Sequence, residues 1–72
     1  MDAVKLWSKI KKKFGSQYKF AEEIGWHRNK VSRMIRGNYI PNINEVMEIS
    51  GKLHIEGKEF FEIWGNKTNK SL

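Results

Sequence analysis

The sequence predicts an all-α fold, with five short helices in one small domain. Apolar residues recur at the 3.6-residue helical period in five separate stretches. Glycine or proline stands between each stretch and the next. At 72 residues, the chain can form one modest helical core but not a second functional unit. We therefore expect a domain over residues 1–64 and a flexible tail over residues 65–72, which have no apolar periodicity.

The first helix is predicted to begin after Asp2, a suitable N-cap, and to end before Gly15. Cationic lysines crowd its last turn, where they complement the helix dipole. One face of this helix should be buried, since its apolar residues are spaced as on a single helical face: Ala3, Leu6, Trp7, Ile10 and Phe14.

The next two helices form a predicted helix-turn-helix. Ser16 is expected to cap the second helix and Gly25 to end it in the left-handed conformation, with Gln17 at its first position. The small residue Ala21 leaves room for a steeply crossing third helix. The inward faces carry Phe20, Ala21 and Ile24, then Val31, Met34 and Ile35. The opposite face of the third helix is polar and basic, with Arg28, Asn29, Ser32, Arg33 and Arg36.

A turn-rich connector, residues 37–41, leads to a fourth helix from Ile43 to about Leu53, which Asn42 and Glu45 should open as a capping box. Its predicted apolar side comprises Ile43, Val46, Met47, Ile49 and Leu53. A last helix is expected from Lys58 to Trp64. This helix has more large apolar residues than one buried stripe needs, which indicates either a homodimer interface or a small core that uses them all: Phe60, Phe61, Ile63 and Trp64.

The formal net charge is +6 and is unevenly distributed. Residues 1–40 hold ten Lys or Arg against three Asp or Glu, whereas residues 41–72 hold four against five. This asymmetry favours an anionic partner, most simply a nucleic-acid backbone, although an anionic membrane surface or a solubilising surface charge would account for it too. The sequence has no cysteine, no signal peptide and no apolar run that could span a membrane, so we expect a soluble cytoplasmic protein.

Several motif residues stand in register: a glutamine opening helix 2, alanine four residues later, glycine four after that, and valine six further on. A connector with Gly and Pro follows, and then apolar residues four positions apart in helix 4. The motif residues are Gln17, Ala21, Gly25, Val31, Gly37, Pro41, Ile49 and Leu53. From Leu6 to Trp64 the chain thereby resembles the lambda-repressor-like DNA-binding family of Cro and XRE-type phage and bacterial regulators. It departs from that pattern at Trp26, where a smaller apolar residue is usual, and at His27, where Ser or Thr is usual.

The resemblance implies that helix 3 enters the major groove of duplex DNA. The base-contacting residues would be Arg28, Asn29, Ser32 and Arg33. Contacts to the sugar-phosphate backbone would come from Ser16, Gln17, Lys19, His27, Arg36, Asn38 and Tyr39. The resemblance also implies a Cro-like homodimer on a pseudo-palindromic operator, in a bacterial or phage-infected cell and near its nucleoid. Trp26 is interpreted as a core residue, and His27 as a weak cap or a phosphate contact.

Two other functional classes compete with this interpretation. An enzyme is disfavoured because the two histidines lie far apart and no phosphate loop or metal-ligand spacing occurs; we expect no cofactor, metal or small-molecule ligand. A protein-binding regulator, antitoxin-like or an adaptor, would use the apolar last helix to engage a partner. RNA-binding signatures such as a GXXG loop are absent from the sequence.

Overall fold

The structure, a computed structural model, describes residues 1–65, and in that range it contains five helices and no strand. They are α1 (Ala3–Phe14), α2 (Gln17–Ile24), α3 (Arg28–Ile35), α4 (Ile43–Leu53) and α5 (Gly57–Trp64). The prediction of an all-α chain with five helices is therefore confirmed for this range. The predicted tail lies outside the described residues except for Gly65.

The helices begin and end where local capping chemistry places their ends. The Asp2 carboxylate accepts a hydrogen bond from Lys5 N at 3.1 Å, and Ser16 Oγ accepts one from Lys19 N at 3.1 Å. Each bond satisfies a backbone N–H that the first turn of a helix leaves without a partner. Gly25 ends α2 at φ 80°, in the left-handed region that glycine adopts without strain.

Helices α1 to α3 pack on one another and supply most of the core, which α4 and α5 complete. The Phe14 and Phe20 rings meet at 5.4 Å between centroids. Fully buried side chains come from every helix and comprise Leu6, Ile10, Phe20, Val31, Met34, Ile49 and Ile63. This shared core fixes α2 and α3 relative to the rest of the domain.

The first and last helices run antiparallel along one side of the molecule. Lys5 Nζ lies 3.0 Å from Glu62 Oε1, and Lys9 Nζ lies 2.9 Å from Glu59 Oε1, so later residues of α1 meet earlier residues of α5. Asp2 N also donates a hydrogen bond to Ile63 O at 2.7 Å. These contacts pair two of the basic residues of α1 with acidic residues of α5.

Two predictions about apolar faces are wrong in part. In α4, Ile43 is 69% and Met47 57% exposed, and the buried face comprises Val46, Ile49, Ser50 and Leu53. The α4 sequence is apolar over a wider arc than the core can cover, so residues at its edge remain in solvent.

In α5, Ile63 is fully buried in the core of its own chain and cannot form part of a dimer interface. Trp64 is half-buried, and its Nε1 donates a hydrogen bond to the buried Ser50 Oγ at 2.9 Å. Of the four residues predicted for an interface, Phe60 is also half-buried and only Phe61 is exposed.

Candidate nucleic-acid interface

A three-residue turn, residues 25–27, connects α2 to α3 and sets the start of α3. Gly25 N and Trp26 N both donate hydrogen bonds to Ala21 O, at 2.9 and 3.0 Å. His27 then caps α3, since its Nδ1 accepts a hydrogen bond from Asn29 N at 3.1 Å. In this arrangement a neutral His27 carries its proton on Nε2, which is left as a hydrogen-bond donor at the exposed end of the ring.

The outer face of α3 is polar and accessible, as the sequence predicts. Val31 and Met34 are buried on the inner face, while Ser32 is half-buried. The remaining side chains of the outer face are exposed: Arg28, Asn29, Arg33 and Arg36. Together with Ser32, these residues offer guanidinium, amide and hydroxyl groups along one side of a short helix.

An open cleft of about 430 Å³ lies between the first turns of α2 and α3. We use "the open cleft" for this space and its lining residues, Gln17, Tyr18, Arg28, Asn29 and Ser32. The fold thus brings one predicted backbone-contacting residue, Gln17, beside three predicted base-contacting residues. Because both helices begin beside this cleft, the positive ends of their dipoles lie near it, which suits an anion.

A second group of side chains lies on the opposite flank of α3. We call it the anchored cluster, and it comprises Trp26, Lys30, Tyr39 and Glu45. Lys30 Nζ lies 2.6 Å from Glu45 Oε2 and 4.1 Å from the centroid of the Trp26 ring. Glu45 Oε1 accepts hydrogen bonds from Tyr39 OH at 2.7 Å and from Asn42 N at 3.0 Å. The cluster therefore joins α3, both connectors that flank it, and the N-terminus of α4.

Hydrogen bonds and charge in this cluster shift three pKa values. The Lys30 ammonium, followed by the Tyr39 hydroxyl and the Asn42 N–H, lowers the pKa of Glu45 to about 2. The hydrogen bond to Glu45 in turn raises the pKa of Lys30 and that of Tyr39. Glu45 is therefore a carboxylate at neutral pH, and it accepts hydrogen bonds without donating any.

The geometry corrects the predicted role of Tyr39. Its hydroxyl proton is donated to Glu45, and a phosphate oxygen can only accept, so Tyr39 cannot donate to phosphate while this bond is made. Its ring instead lies 6.0 Å from the Arg33 guanidinium. Trp26 packs against the core as expected and also provides the ring face beneath Lys30.

The other predicted backbone contacts are distributed more widely. Ser16 Oγ caps α2, and Lys19 is exposed in its first turn. Arg36 and Asn38 are exposed at the far end of α3, where Asn38 N donates to Arg33 O at 2.8 Å. None of these four residues lines the open cleft.

Two side chains at this surface, Tyr18 and Lys30, are absent from the sequence-based site. Tyr18 stands beside Gln17 in the first turn of α2, and its ring lies 5.7 Å from the Arg28 guanidinium carbon. Lys30 and Glu45 are fifteen positions apart, so their pairing leaves no local sequence pattern. Trp26 precedes α3, so its spacing to Lys30 is not a helical i, i+4 pair, and no local pattern indicates this contact.

Comparison of the chain with protein-family models, with curated proteins and with solved structures gives no match. None of the helices within residues 1–65 combines the length and apolar character that a membrane span needs. In the same range, no three His, Cys, Asp or Glu side chains come together as a metal site would require.

Proposed function

We propose that this protein is a sequence-specific, double-stranded DNA-binding regulator, a Cro-like repressor of phage or mobile-element type with a lambda-repressor-like arrangement of helices. In this function α3 enters the major groove, where Arg28, Asn29, Ser32 and Arg33 contact bases. The chain acts as a homodimer on a pseudo-palindromic operator in the cytoplasm.

The observation that carries the proposal is the exposed outer face of α3, with cationic and amide side chains beside the first turn of α2. Among the described residues, Arg28, Arg33 and Arg36 form no ion pair, so their donors are available. Arginine can make paired hydrogen bonds to guanine O6 and N7, and asparagine to adenine N6 and N7. A surface of this composition suits a base edge better than an apolar protein partner.

The supporting backbone contacts come from residues flanking α3. Gln17 in the open cleft and the exposed Lys19 can meet one phosphate strand, with Ser16 and the His27 Nε2–H nearby. Arg36 and Asn38 can meet phosphates at the far end of α3. In a homodimer on such an operator, two copies of α3 would lie about 34 Å apart and read half-sites one helical turn apart. Phe61 is the exposed large apolar residue of α5, and a second copy can contact it.

One observation favours the alternative, a protein-binding regulator. Ile40, Ile43 and Met47 are exposed apolar side chains on and before α4. Met47 also borders a groove of about 460 Å³ that reaches Phe60 on α5. A partner protein could bind there, and this role is compatible with DNA binding at α3.

Selection of bound fragments from a random duplex pool, followed by affinity measurements at two salt concentrations, tests the proposal. We expect an enriched symmetric motif, and affinity that falls steeply with salt because counterions are released from the neutralised phosphates. Arg33→Ala should reduce discrimination at one position of each half-site by about 5- to 150-fold. Recovery of no enriched motif would reject sequence-specific DNA recognition and favour the protein-binding alternative or non-specific binding.

A further inference from the structure

Both predicted base-reading arginines of α3 lie beside a tyrosine ring from a neighbouring segment. The Arg28 guanidinium carbon is 5.7 Å from the Tyr18 ring centroid, and that of Arg33 is 6.0 Å from the Tyr39 ring centroid. Tyr39 is held by its hydrogen bond to Glu45. Tyr18 is 51% exposed, and within residues 1–65 its hydroxyl has no hydrogen-bond partner. Its ring is thus the main chemical feature that it offers to Arg28.

A ring face orients an arginine without occupying the hydrogen-bonding edge of the guanidinium. A cation attracted to an aromatic ring lies over the ring face, whereas the five N–H donors lie in the guanidinium plane. A carboxylate in the same place would accept those donors, as Glu45 does from the Lys30 ammonium. Among the described residues, no carboxylate pairs with Arg28. The contact with Tyr18 therefore restrains Arg28 and leaves its donors free for a base.

The contact between Tyr18 and Arg28 lies in the open cleft. Tyr18 and Arg28 line it together with Gln17, Asn29 and Ser32, so the restrained guanidinium is beside the other groups expected to contact DNA. We propose that Tyr18 is a specificity-determining residue, whose ring holds Arg28 in position to read a guanine. This inference rests on the proposed function of α3 and adds a residue from α2 to base selection.

The test compares three variants with the wild-type protein by selection from a random duplex pool. Arg28→Ala identifies the base position that Arg28 reads. Tyr18→Leu removes the ring, and we expect discrimination at that same position to fall by about two- to fivefold, the effect of an exposed cation–π contact. Other positions should keep their preference. The matched control, Tyr18→Phe, keeps the ring and loses only the hydroxyl, so it should select the wild-type motif.

Three further measurements separate this role from a merely structural one. In the Arg28→Ala background, Tyr18→Leu should have no additional effect on base preference, because the two residues act as a unit. In the DNA-free protein, the NMR shift of the Arg28 Nε–H proton should change in Tyr18→Leu and not in Tyr18→Phe, since only the first removes the ring. Thermal unfolding of Tyr18→Leu should match that of wild type, as expected for a half-exposed side chain.

The outcomes distinguish the inference from the function on which it rests. If wild type and Tyr18→Leu select the same motif with equal discrimination, the inference is overturned and DNA recognition stands. Loss of discrimination in Tyr18→Phe equal to that in Tyr18→Leu would assign the role to the hydroxyl and also overturn the inference. If wild-type protein selects no motif, both the function and the inference are rejected.

Discussion

The two flanks of α3 use similar side chains in different ways. In the anchored cluster, the cation Lys30 lies over the Trp26 ring and is paired with Glu45, which also accepts a hydrogen bond from Tyr39. In the open cleft, Arg28 lies beside the Tyr18 ring without a carboxylate. Glu45 is thus the main chemical difference between the two flanks.

This difference separates a cation that stabilises the fold from one that is available to a ligand. Lys30 is half-buried, and its ammonium is committed to a carboxylate that also closes the capping box of α4. Arg28 is exposed and keeps its donors. One flank therefore holds α3 in place, while the other leaves charge unpaired for an anionic partner. Changes at Glu45, in pH and at the His27 cap test this contrast.

Glu45→Ala, in the first turn of α4, should have the largest effect of these changes. It removes the acceptor for Lys30, Tyr39 and the Asn42 N–H together, and we expect the free energy of unfolding to fall by about 2 kcal/mol, as for the loss of a charged hydrogen-bond acceptor. Urea unfolding measures this change. The control is Glu48→Ala in the same helix, which removes an exposed carboxylate and should stay within about 0.5 kcal/mol of wild type. Equal losses in the two variants would contradict the contrast.

Lowering the pH should remove the stabilisation that the ionised Glu45 gives to the anchored cluster. The pKa of Glu45 falls from an ordinary value of 4.5 to about 2 on folding. A depressed pKa stabilises the folded state above the unfolded-state value, so this contribution is complete above about pH 4.5 and is lost between there and about pH 2. Melting temperatures of wild type and Glu45→Gln should differ at pH 6 and converge toward pH 2. Parallel curves over this range would show that Glu45 does not carry the effect.

The cap at the start of α3 should have the smallest effect of the three. His27→Ala removes the acceptor for Asn29 N and should lower the free energy of unfolding by about 1 kcal/mol. His27→Ser provides a capping oxygen and should retain most of this stabilisation. Thermal unfolding of the two variants gives the comparison. If His27→Ala were as stable as His27→Ser, the bond from Asn29 N to His27 would not stabilise the start of α3.

Local signals in the sequence predict most helix ends correctly, although α5 begins at Gly57 and not at Lys58. Asp2, Ser16 and Asn42 each cap a helix by a bond to a backbone N–H three residues away, which is a short-range interaction that residue type and spacing reveal. Gly25 is the same kind of signal, because its φ of 80° lies in the left-handed region that favours glycine. The five helices follow directly from these ends and from the apolar period.

The sequence predicts less about which faces pack together. Phe61 and Ile63 are two residues apart in α5, which puts them about 160° apart around the helix, and only contact with the rest of the chain decides which one is buried. In α4, too, only contact with the rest of the chain decides that Ile43 and Met47 are exposed. The roles of Tyr39 and Lys30 likewise depend on Glu45. Its capping-box bonds with Asn42 are local, but only the fold of the whole chain brings it to Lys30.

The antiparallel contact between α1 and α5 has a consequence for how the chain acquires its structure during synthesis. Asp2 bonds to Ile63, and Lys5 and Lys9 pair with Glu62 and Glu59, so α1 meets α5 only after α5 has left the ribosome. Until then the side of α1 that faces α5 has no native cover. In ribosome-bound chains that end before residue 57, this side of α1 should therefore be accessible to a protease or a chaperone.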